Sequence, residues 1–286
     1  MPDELPFSYF VVGVQKAGTS TLSQTLGRHP HICKAPRKEM RFFNREDVDW
    51  SDPPYEDYRC PRRKPQQLVA GDATPAYLWW PHALERIRDY RPSARLIAVL
   101  RDPIERLFSH WSMMAAAYGR TPDWPTMLRE HWATSLPDEL PDLPPHEIKA
   151  EVSAISRGFY AAQLERGYAV FDREQWLVLE FRSMLADLPA ALDQVTDHVG
   201  VRRYRSPQPA RHIMAGAPSV RGTPPTTDEI ARLADLYADD LERLEPLADI
   251  DTSHWPTRRI LAGELDPADL AARLGSKVTG ERRSSA

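Results

Sequence analysis

A glycine loop with a lysine inside it is the part of this chain best suited to bind a phosphate. Gly13 and Gly18 are separated by four residues, as in common nucleotide-binding loops, but the lysine stands within the loop, at Lys16. Backbone N–H groups of such a loop and of a following helix start can surround a phosphate, and Lys16 would reach the group beyond it. The displaced lysine predicts a different phosphate-containing donor. The flanking residues are small or carry hydroxyls: Ala17, Thr19, Ser20 and Thr21.

A second group of residues suited to an anion follows the apolar run 95–100. Arg101 comes directly after this run, and Ser109 lies about two helical turns later. Arg101 and Ser109 could hold one phosphate between a loop and a helix face. The alternative is an ordinary helix start with contacts such as Asp102 to Arg106. For the glycine loop, the alternative is a simple helix cap.

The elements that must position these residues alternate between strands and helices. Strands are predicted at residues 8–14, 95–100 and 175–180, with a short apolar run at 68–70. Helices are predicted at 19–28, 81–90, 103–117, 153–171, 188–199 and 227–245, and residues 31–66 are expected to be irregular. This alternation predicts an α/β fold with a mainly parallel central sheet flanked by helices. Because ligands bind at the carboxyl ends of parallel strands, the loops after residues 14, 70 and 100 should share one rim.

The length and charge of the chain narrow its class. With 286 residues it can form one α/β domain, which we expect over residues 1–275. Residues 118–150 are rich in proline, tryptophan and acidic residues and are expected to form an insert or lid, followed at 276–286 by a disordered tail. A net charge of −4 provides no basic field for a nucleic acid.

Cysteine usage and the N-terminus indicate a cytoplasmic protein. The two cysteines, Cys33 and Cys60, make neither a disulfide framework nor a metal-ligand set. The N-terminus lacks the basic and apolar regions of a signal peptide, and no run approaches the roughly 20 apolar residues of a membrane span. Apart from His29 and His31, no histidines stand at metal-ligand spacing. We therefore expect no membrane segment and no metal.

The segments 13–20 and 101–109 together resemble the sulfotransferases that use 3′-phosphoadenosine 5′-phosphosulfate (PAPS). The similarity is greatest to the branch with the heparan sulfate sulfotransferase domains and many bacterial relatives, and it covers roughly residues 8–245. It implies a P-loop-like sulfotransferase fold in which the first segment holds the 5′-phosphosulfate and the second holds the 3′-phosphate. The alanine-, arginine- and proline-rich composition is compatible with a bacterial source.

Four further segments resemble parts of that family. Residues 38–44 resemble an acidic residue followed by paired aromatics, 72–77 a segment along the acceptor cleft, 158–164 a helix bordering the donor, and 219–223 a late basic-glycine loop. The donor-binding residues implied by the resemblance are Lys16, Ala17, Gly18, Thr19, Ser20, Thr21, Arg101, Ser109, Tyr160, Arg221 and Gly222. The implied acceptor-binding residues are Glu39, Phe42, Phe43, Asp72, Thr74 and Tyr77. The late loop has Thr223 where the family often has a second basic residue.

Sulfuryl transfer needs positioning and electrostatic stabilisation, because charge builds on the sulfuryl oxygens and on the leaving oxygen. The resemblance implies that Lys16 neutralises the leaving oxygen and that Glu39 takes the acceptor proton as general base. His110 is the second candidate for the base, or else a packing residue, and Asp72 is a third carboxyl on the expected rim. The alternative for Glu39 is a surface carboxylate paired with a basic neighbour, namely Arg37, Lys38 or Arg41.

The acceptor is expected to be a small or amphiphilic alcohol, such as a lipid, a glycolipid or a secondary metabolite, with an amine as the lesser alternative. Family members that modify sugar hydroxyls tend to carry a lysine before the Thr-Pro pair, and this chain has Ala73 there. Tryptophans could line an apolar cleft or serve as core anchors: Trp79, Trp80, Trp111, Trp124 and Trp132.

Two other functions compete with sulfuryl transfer. A P-loop kinase that uses ATP and magnesium would need an aspartate after its second strand, where this chain has Arg101. A binding-only module would hold adenosine bisphosphate and catalyse no reaction.

Overall fold

The structure, a computed structural model, describes residues 4–118, 123–137, 139, 153–206, 208 and 219–280. The chain divides into two compact units. The first unit is formed by residues 1–100 and 164–214, and the second by residues 101–163 and 215–286. The prediction of one domain over residues 1–275 stays a prediction.

A six-stranded sheet forms the centre of the first unit. Its strands are β1 (Glu4–Gly13), β2 (Ile32–Lys34), β3 (Arg59–Pro61), β4 (Val69–Ala73), β5 (Arg95–Leu100) and β6 (Trp176–Glu180). The order is β2-β4-β1-β5-β6, with each neighbouring pair parallel, and β3 pairs antiparallel with β1. The predicted α/β fold with a mainly parallel sheet flanked by helices is confirmed.

Strand β1 is the central strand, and its sequence explains why. Phe10, Val11 and Val12 are completely buried, and Val11 pairs with Ala73 of β4 on one side and Ile97 of β5 on the other. A strand covered on both faces reads as a continuous apolar run of aromatic and β-branched residues. Gly13 at its end therefore emerges at the carboxyl edge of the sheet.

The strand predictions need three corrections. β1 begins at Glu4 instead of residue 8, because its first residues pair with β3. The apolar run at 68–70 is the start of β4, which continues through Asp72 to Ala73. Residues 31–66 contain β2 and β3, which were not predicted because three-residue strands are too short to show a period.

The helices, numbered in chain order, lie between and after the strands. They are α1 (Thr19–Leu26), α2 (Ala83–Tyr90), α3 (Pro103–Tyr118), α4 (Trp124–Glu130), α5 (Tyr160–Val170), α6 (Phe181–Ala186), α7 (Leu188–His198), α8 (Thr227–Ala248), α9 (Pro256–Leu261) and α10 (Pro267–Gly275). Capping explains several starts: the Asp187 side chain accepts a hydrogen bond at the start of α7, and Thr226 with Glu229 forms a capping box on α8.

The predicted long helix over 153–171 is wrong in its first part. Residues Ser156–Gly158 form a 3₁₀ turn, and the α-helix begins only at Tyr160. Gly158 lies at this interruption, where a Cβ would lie 2.7 Å from the ring of Tyr237 on α8. Glycine at this position therefore leaves room for the tyrosine ring.

Two predicted segments fall partly outside the described residues. Of the expected insert at 118–150, residues 119–122, 138 and 140–150 lie outside them, and α4 lies within them. Of the expected tail at 276–286, residues 281–286 lie outside. Val278 is described and forms a parallel bridge with Val220.

Candidate active site

The loop between β1 and α1 is a tight turn in the first unit. Lys16 and Gly18 both have left-handed backbone conformations, with φ of 77° and 78°. A Cβ at Gly18 would lie 2.9 Å from the ring of Phe181 and 3.0 Å from Met184. The Val14 N–H donates to the Val99 carbonyl of β5 at 2.9 Å. Glycine is required at position 18 for both its φ and its close contacts.

Lys16 has a backbone conformation that favours glycine over other residues. A left-handed conformation costs a non-glycine residue about 1–2 kcal/mol. Strained backbone of this kind clusters at ligand-binding and catalytic sites. The lysine side chain is therefore the feature that the loop retains at a conformational cost.

The start of α1 has the properties of an anion site. Gly18 is its N-cap and supplies no side-chain cap to the first-turn N–H groups, which carry a partial positive charge. Thr19 and Thr21 are buried, and Ser20 is half-buried. Ala17 is completely buried and so contributes backbone instead of side chain. The structure places all the predicted loop residues at one helix start.

Glu39 lies in the first unit between two basic neighbours. Its carboxylate is 3.0 Å from Arg41 Nε and 3.7 Å from Lys38 Nζ, and its side chain is 20% exposed. Burial lowers the pKa of Lys38 from its ordinary value. The pairing that the sequence offered as the alternative is therefore present. The role of Glu39 as general base stays a prediction.

Asp72, near the end of β4, is completely buried and accepts hydrogen bonds from several donors. The Tyr58 hydroxyl donates at 2.6 Å, the Tyr77 hydroxyl at 2.7 Å and Thr74 Oγ1 at 2.8 Å. The backbone N–H of Met40 donates at 3.4 Å. Burial raises the pKa of the Asp72 carboxyl, although these hydrogen bonds oppose the shift. We call Asp72, Tyr58, Thr74 and Tyr77 the Asp72 network.

The Asp72 network also fixes the backbone beside Glu39. Thr74 Oγ1 accepts from the Arg41 N–H at 3.2 Å, and the Tyr77 hydroxyl accepts from the Phe42 N–H at 2.9 Å. Together with the contact to Met40, three consecutive backbone N–H groups are anchored to one buried carboxyl. These hydrogen bonds restrict the motion of the backbone that directly follows Glu39, the candidate base.

The paired aromatics belong to the same buried cluster. The ring of Phe42 stacks on Tyr58 at 4.4 Å, and Phe43 meets Tyr77 edge-on at 5.7 Å. Phe42 is 7% exposed, while Phe43, Thr74 and Tyr77 are fully buried. These ring contacts stabilise the segment that contains Glu39. The prediction that these residues and Asp72 touch the acceptor stays a prediction.

Sequence reasoning missed two residues of this region. Tyr58 is buried and donates the shortest hydrogen bond to Asp72, but it lies in a segment without periodicity. Asn44 is 3% exposed, and among the described residues its side-chain amide has no hydrogen-bond partner. The position of Asn44 directly after two aromatic residues was the sequence signal that this polar side chain is buried.

The second predicted anion-binding motif lies in the second unit, where one carboxylate contacts two arginines. Glu105 on α3 is buried, and its carboxylate oxygens lie 3.6 Å from Arg101 Nε and 2.6 Å from an Arg273 guanidinium nitrogen. Ser109 is half-buried, and His110 is 1% exposed. The motif predicted from local spacing therefore includes a residue more than 160 positions further along the chain.

Backbone contacts fix the residues around Arg101. The Tyr160 hydroxyl donates to the Arg101 carbonyl at 2.8 Å. Asp102 is buried and accepts from the N–H groups of Glu105 at 2.9 Å and of Thr257, on α9, at 2.8 Å. Burial first, and then the charge of Glu105, raise the pKa of Asp102. Tyr160, predicted to bind the donor, holds the chain at Arg101.

The late loop is pinned against α3 and α4 in the same unit. A Cβ at Gly222 would lie 2.6 Å from Asp123 Oδ1 and 3.1 Å from the Trp111 ring, so only glycine fits. Thr223 donates its N–H to Asp123 at 2.8 Å. Arg221 is exposed. Thr223 therefore acts here through its backbone.

The predicted tryptophans are mainly core anchors. Four of the five are at most 2% exposed, namely Trp79, Trp80, Trp111 and Trp124. Trp132 is half-buried beneath the Arg232 guanidinium, 4.9 Å from its ring centre. Within the described residues, no three His, Cys, Asp or Glu side chains are grouped to hold a metal. No helix in that part of the chain has the length and apolar character to cross a membrane.

Comparison with known proteins identifies the family. The Sulfotransferase domain family matches residues 7–212. This chain belongs to the sulfotransferase family. A crystal structure of a sulfotransferase from Alicyclobacillus acidocaldarius is 25% identical, with a TM-score of 0.66, and covers 88% of this chain and 99% of its own. The predicted family and fold are confirmed.

Curated relatives of this sulfotransferase include enzymes of two kinds. The membrane-associated sulfotransferase kil1 of Dictyostelium discoideum is 32% identical over 120 residues, covering 40% of this chain and 25% of that protein. The human heparan sulfate glucosamine 3-O-sulfotransferase 3B1 is 28% identical over 196 residues, covering 68% and 46%. This chain spans less than half the length of both relatives.

Proposed function

We propose that this sulfotransferase moves a sulfuryl group from PAPS to a hydroxyl of a small or amphiphilic acceptor. The observation that carries the proposal is Lys16, held in a left-handed conformation within a glycine loop at the uncapped start of α1. A loop of this kind suits a phosphate with a further charged group attached to it. A sulfated phosphate has that form.

Different residues bind the two phosphates of the donor in this proposal. In the first unit, the loop N–H groups and the hydroxyls of residues 19–21 bind the 5′-phosphate. In the second unit, Arg101 and Ser109 bind the 3′-phosphate, with Arg221 adding charge. Tyr160 and Gly222 serve through the backbone contacts described above. Arginine suits this task because its planar guanidinium pairs with two phosphate oxygens.

The chemistry assigns different tasks to Lys16 and Glu39. Lys16 neutralises the bridging oxygen as its bond to sulfur breaks, which lowers the energy of the transition state. Glu39 takes the proton from the acceptor hydroxyl as its oxygen attacks the sulfur. Arg41 and Lys38 form ion pairs with this carboxylate. The buried His110 is the second candidate for the base.

The residue before Thr74 supports the proposed class of acceptor. Ala73 is buried at the end of β4 and brings no positive charge to the segment that resembles the acceptor cleft. This supports a neutral or amphiphilic alcohol over an anionic polysaccharide. O-sulfation agrees with the name of the 3-O-sulfotransferase relative.

A transfer assay with two donors tests the proposed function. The protein is incubated with a library of lipid, glycolipid and secondary-metabolite alcohols and either PAPS or ATP with magnesium. Mass spectrometry should detect an added sulfuryl group with PAPS, together with adenosine 3′,5′-bisphosphate. Transfer that needs ATP and magnesium would identify a kinase instead. Binding of adenosine 3′,5′-bisphosphate without turnover of any acceptor would support a binding-only module.

A further inference from the structure

We propose that Arg273 is a positioning residue for the donor's 3′-phosphate, acting through Glu105 on Arg101. The inference rests on the proposed function, because it assumes that Arg101 binds that phosphate. It goes further by assigning a role to a helix outside the family match, which ends at residue 212. All three residues lie in the second unit.

Glu105 is an anion placed next to a residue that must attract an anion. Its side chain is 4% exposed, and its Oε2 lies 3.6 Å from Arg101 Nε. A buried carboxylate at this position would draw the guanidinium toward itself and repel an incoming phosphate. The donor site therefore needs a second cation to balance Glu105.

Arg273 supplies that cation. Its guanidinium nitrogen lies 2.6 Å from Glu105 Oε1, a full ångström closer than the Arg101 contact to the other oxygen. Arg273 therefore makes a charge-assisted hydrogen bond to this carboxylate, and solvent partly screens the attraction because Arg273 is half exposed. A second cation at Glu105 weakens the competition between this carboxylate and a phosphate for Arg101.

Helix α10 holds Arg273 in place. Asp266 caps the helix start by accepting from the Ala268 N–H, and Leu270 and Leu274 are buried on its inner face. After the helix, Thr279 donates its N–H to the Val220 carbonyl at 2.8 Å. Arg273 is therefore presented to Glu105 from a packed helix, although its own side chain is 47% exposed.

Calorimetric binding of adenosine 3′,5′-bisphosphate tests this role. Arg273→Ala should raise the Kd about tenfold, since it leaves Glu105 to compete for Arg101. Adenosine 5′-monophosphate lacks the 3′-phosphate, so its Kd should be the same for wild type and Arg273→Ala. Arg273→Lys should keep part of the affinity because it keeps the charge.

Two further variants separate electrostatics from folding. Arg258→Ala is the matched control, because Arg258 lies on the neighbouring helix α9 and binds the Leu241 carbonyl and Thr252. It should lower thermal stability and leave the Kd unchanged. Adding Glu105→Gln to Arg273→Ala removes the uncompensated anion and should restore the affinity.

Each outcome separates this inference from the proposed function. An unchanged Kd for Arg273→Ala, or no rescue by Glu105→Gln, would overturn the inference alone if wild type binds and Arg101→Ala weakens binding. A wild-type protein that does not bind adenosine 3′,5′-bisphosphate overturns the proposed function and the inference with it.

Discussion

Asp72 in the first unit and Glu105 in the second are both buried carboxylates beside a candidate site residue, but their partners differ. Asp72 accepts from three hydroxyls and a backbone N–H. Glu105 faces two guanidinium groups. Hydroxyls are directional and carry no net charge, whereas arginines change the local charge as well as the geometry.

Because their partners differ, the two carboxylates control different properties of the protein. Hydroxyls that bridge Asp72 to the backbone at Arg41 and Phe42 fix the segment beside Glu39, the proposed base. Arginines around Glu105 set how much positive charge is left for a ligand. We therefore expect damage around Asp72 to lower turnover, and damage around Glu105 to lower donor affinity.

The largest expected effect contrasts the two anion-binding motifs. Lys16→Ala should lower kcat by about 100-fold or more, because it removes a cation from the leaving oxygen. Arg101→Ala should mainly raise the Kd for the donor, because its contact is made before and during the reaction. Steady-state kinetics with PAPS and calorimetry with adenosine 3′,5′-bisphosphate measure the two quantities.

Lys16→Gly is the control for folding in this experiment. Glycine relieves a backbone cost of about 1–2 kcal/mol at a φ of 77°, so this variant should unfold at an equal or higher urea concentration than Lys16→Ala. It should be just as inactive. Retained turnover in either variant would remove Lys16 from the mechanism.

A smaller effect separates geometry from stability within the Asp72 network. Tyr77→Phe and Tyr58→Phe each remove one hydroxyl from Asp72 and should each cost about 1.5–3 kcal/mol of unfolding free energy. Only Tyr77 also holds the Phe42 N–H. Tyr77→Phe should therefore lower kcat several-fold more than Tyr58→Phe, with little change in donor Kd.

The two tyrosine variants need urea unfolding and kinetics on the same samples. Equal kcat values at equal stability would show that the network acts only on folding. An effect on donor Kd larger than that on kcat would break the proposed division between the two carboxylates.

The smallest expected effect is the pH dependence of stability. Burial raises the pKa of Asp72 above its ordinary value of 3.8, so the folded protein binds this proton more tightly than the unfolded chain does. The contribution of Asp72 to stability is then greatest at acid pH and falls as pH rises through its raised pKa. Asp72→Asn should remove this fall, which amounts to about 1.4 kcal/mol per pH unit at most.

Urea unfolding of wild type and Asp72→Asn from pH 4 to pH 8 measures this difference. The stability lost by the substitution should shrink as pH rises. A constant difference across this range would mean that the hydroxyl donors outweigh burial and hold the carboxyl ionised. Asp102→Asn in the second unit provides the comparison, since burial and Glu105 raise the pKa of Asp102 in the same direction.

Local features of the fold were predictable from the sequence, and distant partners were not. The strand before Gly13, the helix start at Thr19 and the strand before Arg101 each show in a few adjacent residues. The bonds from Tyr58 to Asp72 and from Arg273 to Glu105 depend on how the chain returns. The spacing of residues in the sequence does not show which distant segments come into contact.

The same limit explains the errors in the predicted elements. Strands β2 and β3 are stabilised by pairing with β4 and β1 instead of by their own periodicity. The helix predicted from residue 153 is interrupted at Gly158, where a ring on α8 occupies the space of a Cβ. In both cases a tertiary contact overrides the local pattern.

The contact between Asp102 and the Thr257 N–H affects where a fragment of this protein can be truncated. The family match ends at residue 212, yet a buried carboxyl beside Arg101 accepts a hydrogen bond from a residue beyond that point. A fragment trimmed to that match lacks both Thr257 and Arg273, so the Asp102 carboxyl loses one of its two backbone donors. A fragment designed from the family match should therefore extend beyond residue 212 to keep these contacts.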